Sequence, residues 1–146
     1  INQLIQTGKG LSKEIDLLSL DIDGNDYHVL EAIEPLEARV IVLEYNPKYR
    51  PPVKWVMEYN PDHSFNGSDY FGGSLKSFEV LLSQKGYKLV GCSLYGFNAF
   101  FVREDLVKNN FLDDCSAENH YEPDRIFLRS SMASQQTANF GPFEIK

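Results

Sequence analysis

The sequence predicts an α/β fold, with a mostly parallel sheet that ends in an antiparallel hairpin. Two short apolar runs, residues 15–22 and 40–43, flank a segment with helical periodicity. This is the pattern of a strand, a crossover helix and a second, parallel strand. Further along, a second helical segment precedes two apolar runs separated by the short turn 94–97, which is the pattern of a hairpin.

The composition is that of an ordinary globular chain and excludes some partners. Of the 146 residues, 42% are hydrophobic and 24% are charged, and ten Phe, eight Tyr and one Trp can fill a core. Fourteen basic and 21 acidic residues give a formal net charge of −7. Nucleic acids and anionic membranes are bound through clustered Lys and Arg, so neither is an expected partner. A cation, a small-molecule substrate or another protein fits this charge.

Cysteine usage and hydropathy indicate a cytoplasmic protein. Only Cys92 and Cys115 are present, without the spacing of a disulfide framework or of a zinc site, and we expect both to be reduced. No apolar run reaches the roughly 18 residues of a membrane helix. The N-terminal residues show no basic segment followed by an apolar stretch, as a signal peptide would.

The first elements follow from apolar periodicity and from capping residues. A short helix is expected over residues 3–11. The nearly continuous apolar run 15–22 predicts a strand that is buried on both faces. Asn25 or Asp26 then caps an amphipathic helix, and the run 40–43 is a second buried strand.

A long irregular segment separates this unit from the rest of the chain. Residues 45–73 are rich in Pro, Asn, Asp, Gly and aromatic residues, and irregular stretches of that length often form binding loops. Ser74 opens a second amphipathic helix that ends at Gly86. Residues 87–93 and 98–103 are the strands of the hairpin, and the chain beyond Asp105 is predicted to be irregular.

Acidic and amide side chains follow both of the predicted parallel strands. Asp21 and Asp23 lie on one side of the first strand end, and Glu44 and Asn46 lie on one side of the second. Neighbouring strands are about 4.8 Å apart, so these oxygens can converge. Crowded carboxylates repel one another unless a proton or a cation lies among them, and oxygen ligands suit Mg²⁺, Ca²⁺ or Mn²⁺. The alternative is that these residues only cap strand and helix ends, as we expect of Asp26.

Asp21-Ile22-Asp23-Gly24 after an apolar strand also resembles the first motif of the haloacid-dehalogenase phosphatases. That resemblance implies a phosphatase in which Asp21 is the nucleophile and Asp23 the general acid. The family continues with Thr and a cap insertion, whereas Asn25 leads straight into a helix here. Its next strand ends in Ser or Thr, whereas Glu44 stands here.

Two longer stretches resemble class I S-adenosylmethionine-dependent methyltransferases, above all the FkbM-type branch. Residues 16–33 (DLLSLDIDGNDYHVLEAI) and 39–46 (RVIVLEYN) are similar to strands four and five of that fold and the helix between them. Residues 73–78, 86–91 and 98–103 are similar to its last helix and terminal hairpin. The resemblance covers about residues 14–105, and it implies a partial Rossmann-like methyltransferase fold.

The resemblance implies O-methylation of a small molecule or sugar, with S-adenosylmethionine as the methyl donor. The glycine-rich turn and the acid that bind this donor follow the first two strands of the family's fold, and this sequence has neither. Residues 1–110 are therefore expected to be the C-terminal half of the fold, and residues 111–146 an irregular extension. A chain that begins with Ile1 fits this expectation. A non-catalytic module that lacks the cofactor half is the alternative.

In metal-dependent relatives, an acid after strand four and an acid–Asn pair after strand five hold a divalent cation. Asp21, Glu44 and Asn46 stand at similar places, although Tyr45 separates the last two. The resemblance therefore implies Mg²⁺ or Mn²⁺ on these three residues, with Asp23 or His28 as the acceptor of a substrate proton.

Four residues of the long segment are candidates for contact with the substrate: Tyr49, His63, Asp69 and Tyr70. They would line a lid over the substrate. The alternative is that the aromatic side chains only hold the segment against the sheet. The oligomeric state is not predicted.

Overall fold

The structure is a computed structural model that describes residues 2–3, 8, 14–125 and 141–145. Its elements in chain order are β1 (Ile15–Leu20), α1 (Asp26–Ala32), β2 (Ala38–Glu44), β3 (Val56–Met57), α2 (Leu75–Gln84), β4 (Tyr87–Cys92), β5 (Asn98–Arg103), α3 (Glu104–Val107), α4 (Ala117–His120) and β6 (Phe143–Glu144). The helix predicted over residues 3–11 lies outside the described residues, apart from residues 3 and 8. No helix in the described ranges is long and apolar enough to cross a membrane.

The main sheet has the strand order β1-β2-β5-β4. β1 and β2 are parallel, with Ile15 opposite Ala38 and Leu20 opposite Leu43. The predicted strand–helix–strand unit and the α/β class are therefore confirmed. A second, two-stranded antiparallel sheet pairs β3 with β6.

The predicted antiparallel hairpin does lie at the end of the sheet, but the sheet is mixed rather than mostly parallel. β4 and β5 do form an antiparallel hairpin, but β5 lies between β2 and β4 and is antiparallel to both. Only the β1–β2 pairing in the described sheet is parallel. The hairpin folds back so that its second strand, rather than its first, joins β2.

The core fills one face of the sheet. Ile41 and Leu43 of β2 pair with Phe101 and Ala99 of β5, and all four are fully buried. They belong to one cluster with apolar side chains of both long helices, Leu30 of α1 and Phe78 and Leu82 of α2. The helices therefore supply the apolar cover that this face of the sheet requires.

β1 is less buried than its sequence predicts. Leu17 is 56% exposed, whereas the continuous apolar run predicted a strand buried on both faces. In the described part of the chain, β1 is an edge strand with β2 as its neighbour. Leu20, which pairs with the buried Leu43, faces the core and is itself buried.

The second helix begins and ends where the sequence indicates. Ser74 is the N-cap of α2, and its side chain accepts a hydrogen bond from the Ser77 amide. The same hydroxyl oxygen accepts a hydrogen bond from the Trp55 amide at 3.1 Å, so the cap also anchors the long loop. Gly86, with φ 84°, provides the left-handed residue after the helix.

The C-terminal extension is not wholly irregular in its described part. It contains α4 and β6, and α4 contacts β4 and α2. The Tyr45 hydroxyl donates to the Glu122 carbonyl at 2.6 Å, and the Tyr121 hydroxyl donates to the Pro47 carbonyl at 2.6 Å. These two hydrogen bonds join the extension to the chain that leaves β2.

The Tyr87 hydroxyl ties the hairpin to the start of β2. It is buried and donates to the carbonyls of Ala38 at 2.6 Å and Leu36 at 3.2 Å. We expect Tyr87→Phe to lower the free energy of unfolding by about 1–2 kcal/mol, because buried acceptors lose their donor. Urea denaturation measures this loss. Tyr59→Phe is the control, since Tyr59 is 57% exposed, and equal stability of the two variants would contradict the prediction.

Candidate metal centre

The turn that follows β1 is shaped by a buried carboxylate. Asp26 accepts hydrogen bonds from the amides of Ile22 and Gly24, one on each oxygen and both at 2.9 Å. The N-cap of α1 is Asn25, so the prediction that Asp26 is the helix cap is wrong. Both Asp26 oxygens are taken by amides that precede the helix. Asp26 therefore fixes the path of residues 21–25.

Three carboxylates converge at the ends of β1 and β2. One ligand atom each from Asp21, Asp23 and Glu44 lies within 4.8 Å of the others. Asp21 and Asp23 are exposed, whereas Glu44 is half-buried. Asp23 has φ 54°, a left-handed conformation that Asp tolerates better than most residues. The structure thus brings together the three carboxylates among the four residues that the sequence predicted to converge.

Within this cluster, Glu44 has a buried oxygen atom, Oε2, that lacks a hydrogen-bond partner among the described residues. Burial, followed by the nearby charges of Asp21, Asp26 and Asp23, raises the pKa of Glu44 to about 8. Partial burial and the charges of Asp23 and Asp26 also raise the pKa of Asp21. A positive charge or a proton among these carboxylates would therefore relieve their repulsion.

Asn46, predicted as a third metal ligand, has a different role in the structure. Its side chain is buried, and its amide nitrogen donates to the carbonyls of Asp69 at 2.9 Å and Phe71 at 3.1 Å. Its amide oxygen accepts from the Lys48 amide at 3.1 Å. Asn46 thus joins the two ends of the long loop, and we leave it out of the ligand set.

His28, one of the two predicted proton acceptors, contacts the long loop. Its Nε2 atom is 2.8 Å from the Met57 carbonyl oxygen, and its ring packs edge-on against Tyr27 and Tyr59. These contacts assign His28 to the packing of the loop against α1. Asp23 is the predicted acceptor that lies in the carboxylate cluster.

Three of the four predicted substrate residues hold the long loop together. Tyr49 stacks on the buried Trp55, with ring centroids 4.1 Å apart, and Tyr70 packs edge-on against Trp55 at 5.8 Å. Asp69 forms an ion pair with Lys48 at 3.0 Å. Burial and the charge of Asp69 raise the pKa of Tyr49 to about 12.

His63 is the predicted substrate residue that contacts the carboxylate turn. Its Nε2 atom lies 2.9 Å from the Asp23 carbonyl oxygen, so a protonated Nε2 donates a hydrogen bond there. Its ring covers Gly24, where an added Cβ would come within 2.3 Å of the ring. Gly24 is therefore needed for the loop to approach the turn this closely.

One contact that orders the site was missed by sequence reasoning. Asn25 and Asn60 form a reciprocal pair: Asn25 donates to the Asn60 carbonyl at 2.7 Å and accepts from its amide at 3.2 Å. The Gly72 amide also donates to the Gly24 carbonyl at 3.0 Å. These partners are far apart in the sequence, and no local pattern marks them.

Comparison with protein-family models, with curated proteins and with solved structures finds no match to this chain.

Glu44 makes the stability of the metal-free protein dependent on pH. Its pKa is raised from the ordinary 4.5 to about 8, so its stabilising contribution is complete below pH 4.5 and is lost as the pH rises through about 8. With a chelator present, we expect the free energy of unfolding to fall between about pH 5 and about pH 8. Glu44→Gln should flatten this decline. Urea denaturation across that range measures it.

Asp16→Asn is the matched control for this experiment. Asp16 is also an acid of the β1–β2 pair, but its side chain is 88% exposed and it pairs with Arg39 at 3.1 Å. This variant should keep the decline of the unmodified chain. If Glu44→Gln and the unmodified chain showed the same pH dependence, the pKa of Glu44 would not be raised by its surroundings.

Proposed function

We propose that this chain holds a divalent cation, Mg²⁺ or Mn²⁺, at the ends of β1 and β2 and uses it in the O-methylation of a small molecule or sugar. The single observation that carries the cation site is the buried, unpartnered Oε2 of Glu44 beside two further carboxylates. The reaction rests on the resemblance of the strand ends to those of methyltransferases. A partial Rossmann-like fold and the division into residues 1–110 and 111–146 belong to the same proposal.

The residues of the cluster fit such a cation. Its donors are carboxylate oxygens, which hard cations such as Mg²⁺ and Mn²⁺ prefer. A bound cation gives the Oε2 atom of Glu44 a partner and offsets the repulsion that raises its pKa. Mg²⁺ requires about six ligands, so two or three protein oxygens leave positions for water and for substrate hydroxyls.

The proposed mechanism gives the three carboxylates different roles according to their solvent exposure. The half-buried Glu44 and its neighbour Asp21 would hold the cation, which when bound would lower the pKa of a substrate hydroxyl. The exposed Asp23 would accept the hydroxyl proton. His63 and Asp26 hold the turn that carries Asp21 and Asp23. The chain thus contributes orientation and a proton acceptor, which is most of what methyl transfer requires of a protein.

The residues that the structure describes do not include a matching set for S-adenosylmethionine. The sequence has no glycine-rich turn after an apolar strand. None of the buried polar atoms without a partner, on Glu44, Tyr49 and His120, forms a recognisable cradle for it. We therefore assign no residue to the methyl donor and derive no step through it.

Two other functions use the same carboxylates. A non-catalytic module would bind the cation without turnover. A phosphatase of the haloacid-dehalogenase type would use Asp21 as its nucleophile. Residues 21–25 lead directly into α1, with Asp26 bonded to two of their amides, so the turn has no cap insertion. This geometry favours the cation-assisted transferase over the phosphatase.

Loss of a ligand should weaken cation binding. Substitution of residues outside the first ligand shell typically costs about 10–100-fold in metal affinity, and a lost ligand should cost at least as much. We therefore expect Glu44→Gln and Asp21→Asn to abolish most Mn²⁺ or Mg²⁺ binding. Asp23→Asn should have a smaller effect, because its proposed role is proton transfer. Isothermal titration calorimetry measures these affinities.

Asp16→Asn serves as the control here too, since it removes a carboxylate from β1 outside the cluster. Its titration should match that of the unmodified chain. Identical titrations for the unmodified chain, Glu44→Gln and Asp21→Asn would refute the cation site.

An activity assay separates the three functions. With Mg²⁺ present, transfer of label from methyl-labelled S-adenosylmethionine to a panel of sugars or small phenols would identify a methyltransferase, in which the cation acidifies their hydroxyls. Asp23→Asn and a chelator should each abolish the transfer. Hydrolysis of p-nitrophenyl phosphate that is lost in Asp21→Asn would instead identify a phosphatase. Cation binding with neither activity would identify a non-catalytic module.

A further inference from the structure

The end of the chain returns to the long loop and adds a strand to it. β6 pairs antiparallel with β3, with Val56 opposite Glu144 and Met57 opposite Phe143. The Glu58 amide donates to the Pro142 carbonyl at 3.2 Å, which continues the contact beyond the strand. The outer edge of β3 is thus covered by residues that follow it by more than eighty positions.

The same segment contacts an aromatic residue of the loop. The Tyr70 hydroxyl donates a hydrogen bond to the Pro142 carbonyl. Gly141 lies against the Tyr70 ring, where an added Cβ would come within 3.1 Å of the ring. Tyr70 in turn packs edge-on against Trp55 at 5.8 Å. The end of the chain therefore helps to set the position of Tyr70 beside Trp55.

Little apolar burial holds this segment in place. Phe143 is 53% exposed and Ile145 is 78% exposed, and β6 has only two residues. β3 itself is fully buried, at Val56 and Met57, and its other side is joined to the body by the hydrogen bond from the Met57 amide to the Gly72 carbonyl. Segments with few buried apolar contacts open at low free-energy cost, independently of the core.

We propose that β3 and Tyr70 form a strand-addition site whose occupant is residues 141–145 of the same chain, here called the C-terminal strap. The strap fixes Tyr70 against Trp55 and opens without unfolding of the four-stranded sheet. Main-chain hydrogen bonds to β3 supply the binding, and the Gly141–Pro142 pair supplies specificity for the Tyr70 ring and hydroxyl. This inference goes beyond the proposed cation chemistry and does not depend on it.

The strap also reaches the candidate metal centre through the loop. Tyr70 lies beside His63, with ring centroids 6.5 Å apart, and His63 contacts the Asp23 carbonyl. Opening of the strap removes one support of Tyr70 and, with it, of the loop that covers the carboxylate turn. The strap is thus a device by which the end of the chain controls the order of this loop.

Hydrogen exchange tests the strap in the full chain. Gly141→Val should push the strap away from Tyr70, and Tyr70→Phe should remove the hydroxyl donor. We expect Gly141→Val to lose amide protection at Glu58, while amides of β2 and β5 keep theirs. Tyr70→Phe should lose that protection too, since it also removes the direct bond from the Glu58 amide to the Tyr70 hydroxyl at 3.3 Å. Trp55, the single tryptophan of the sequence, should change its fluorescence in both. Ile145→Ala is the control, because that side chain is 78% exposed, and it should behave as the unmodified chain.

Addition of the strap as a separate peptide completes the test. A peptide with the sequence of residues 141–145, at about millimolar concentration to match the effective concentration of a tethered segment, should restore protection of Glu58 in Gly141→Val. A scrambled peptide should not. Unchanged exchange at Glu58 in both variants, parallel loss of protection in β2 and β5, or no rescue by the peptide would each overturn the proposal.

Discussion

The parallel pairing of β1 with β2 places the acids that follow both strands at one edge of the sheet, and the resulting crowding of carboxylates is the constraint on which the site depends. Asp21, Asp23 and Glu44 have ligand atoms within 4.8 Å of one another. Separated in water, such groups would interact weakly, but partial burial at a strand end strengthens their repulsion. The turn, the loop above it and the contacts between them all have to hold this arrangement in place.

The contacts that hold it are hydrogen bonds to main-chain groups rather than packing alone. Asp26 bonds two amides of the turn, Asn25 pairs reciprocally with Asn60, and Asn46 joins the two ends of the loop. Each of these side chains forms hydrogen bonds with backbone amides or carbonyls of irregular segments, where helix or sheet partners are lacking. His63 adds a contact to the Asp23 carbonyl. The irregular loop therefore has a defined path over the turn, although it contributes only the two-residue strand β3.

The parts of this fold that are local could be predicted from the sequence, and those that depend on distant partners could not. The apolar runs of β1, α1, β2 and α2 and the Ser74 cap of α2 are visible in a few consecutive residues. The position of β5 between β2 and β4 depends on how the hairpin packs, which no local pattern records. The hydrogen bonds of Asn46 depend on distant partners in the same way. Asn46 lies beyond Glu44, where β2 ends, and its partners lie 23 and 25 residues further along.

The two explanations for acids at strand ends, capping and cation binding, apply to different residues of the same cluster. Asp26 is buried, and each of its carboxylate oxygens accepts a hydrogen bond from an amide of the turn at 2.9 Å. These two hydrogen bonds explain why an acid occupies this position. Glu44 is also partly buried, yet its Oε2 atom has no partner among the described residues, and three acids raise its pKa. A buried carboxylate oxygen without a donor destabilises the fold unless something binds it. Hydrogen bonds to the turn account for Asp26 and leave Glu44 unexplained, and the proposed divalent cation, shared with Asp21, would supply the partner that Glu44 lacks.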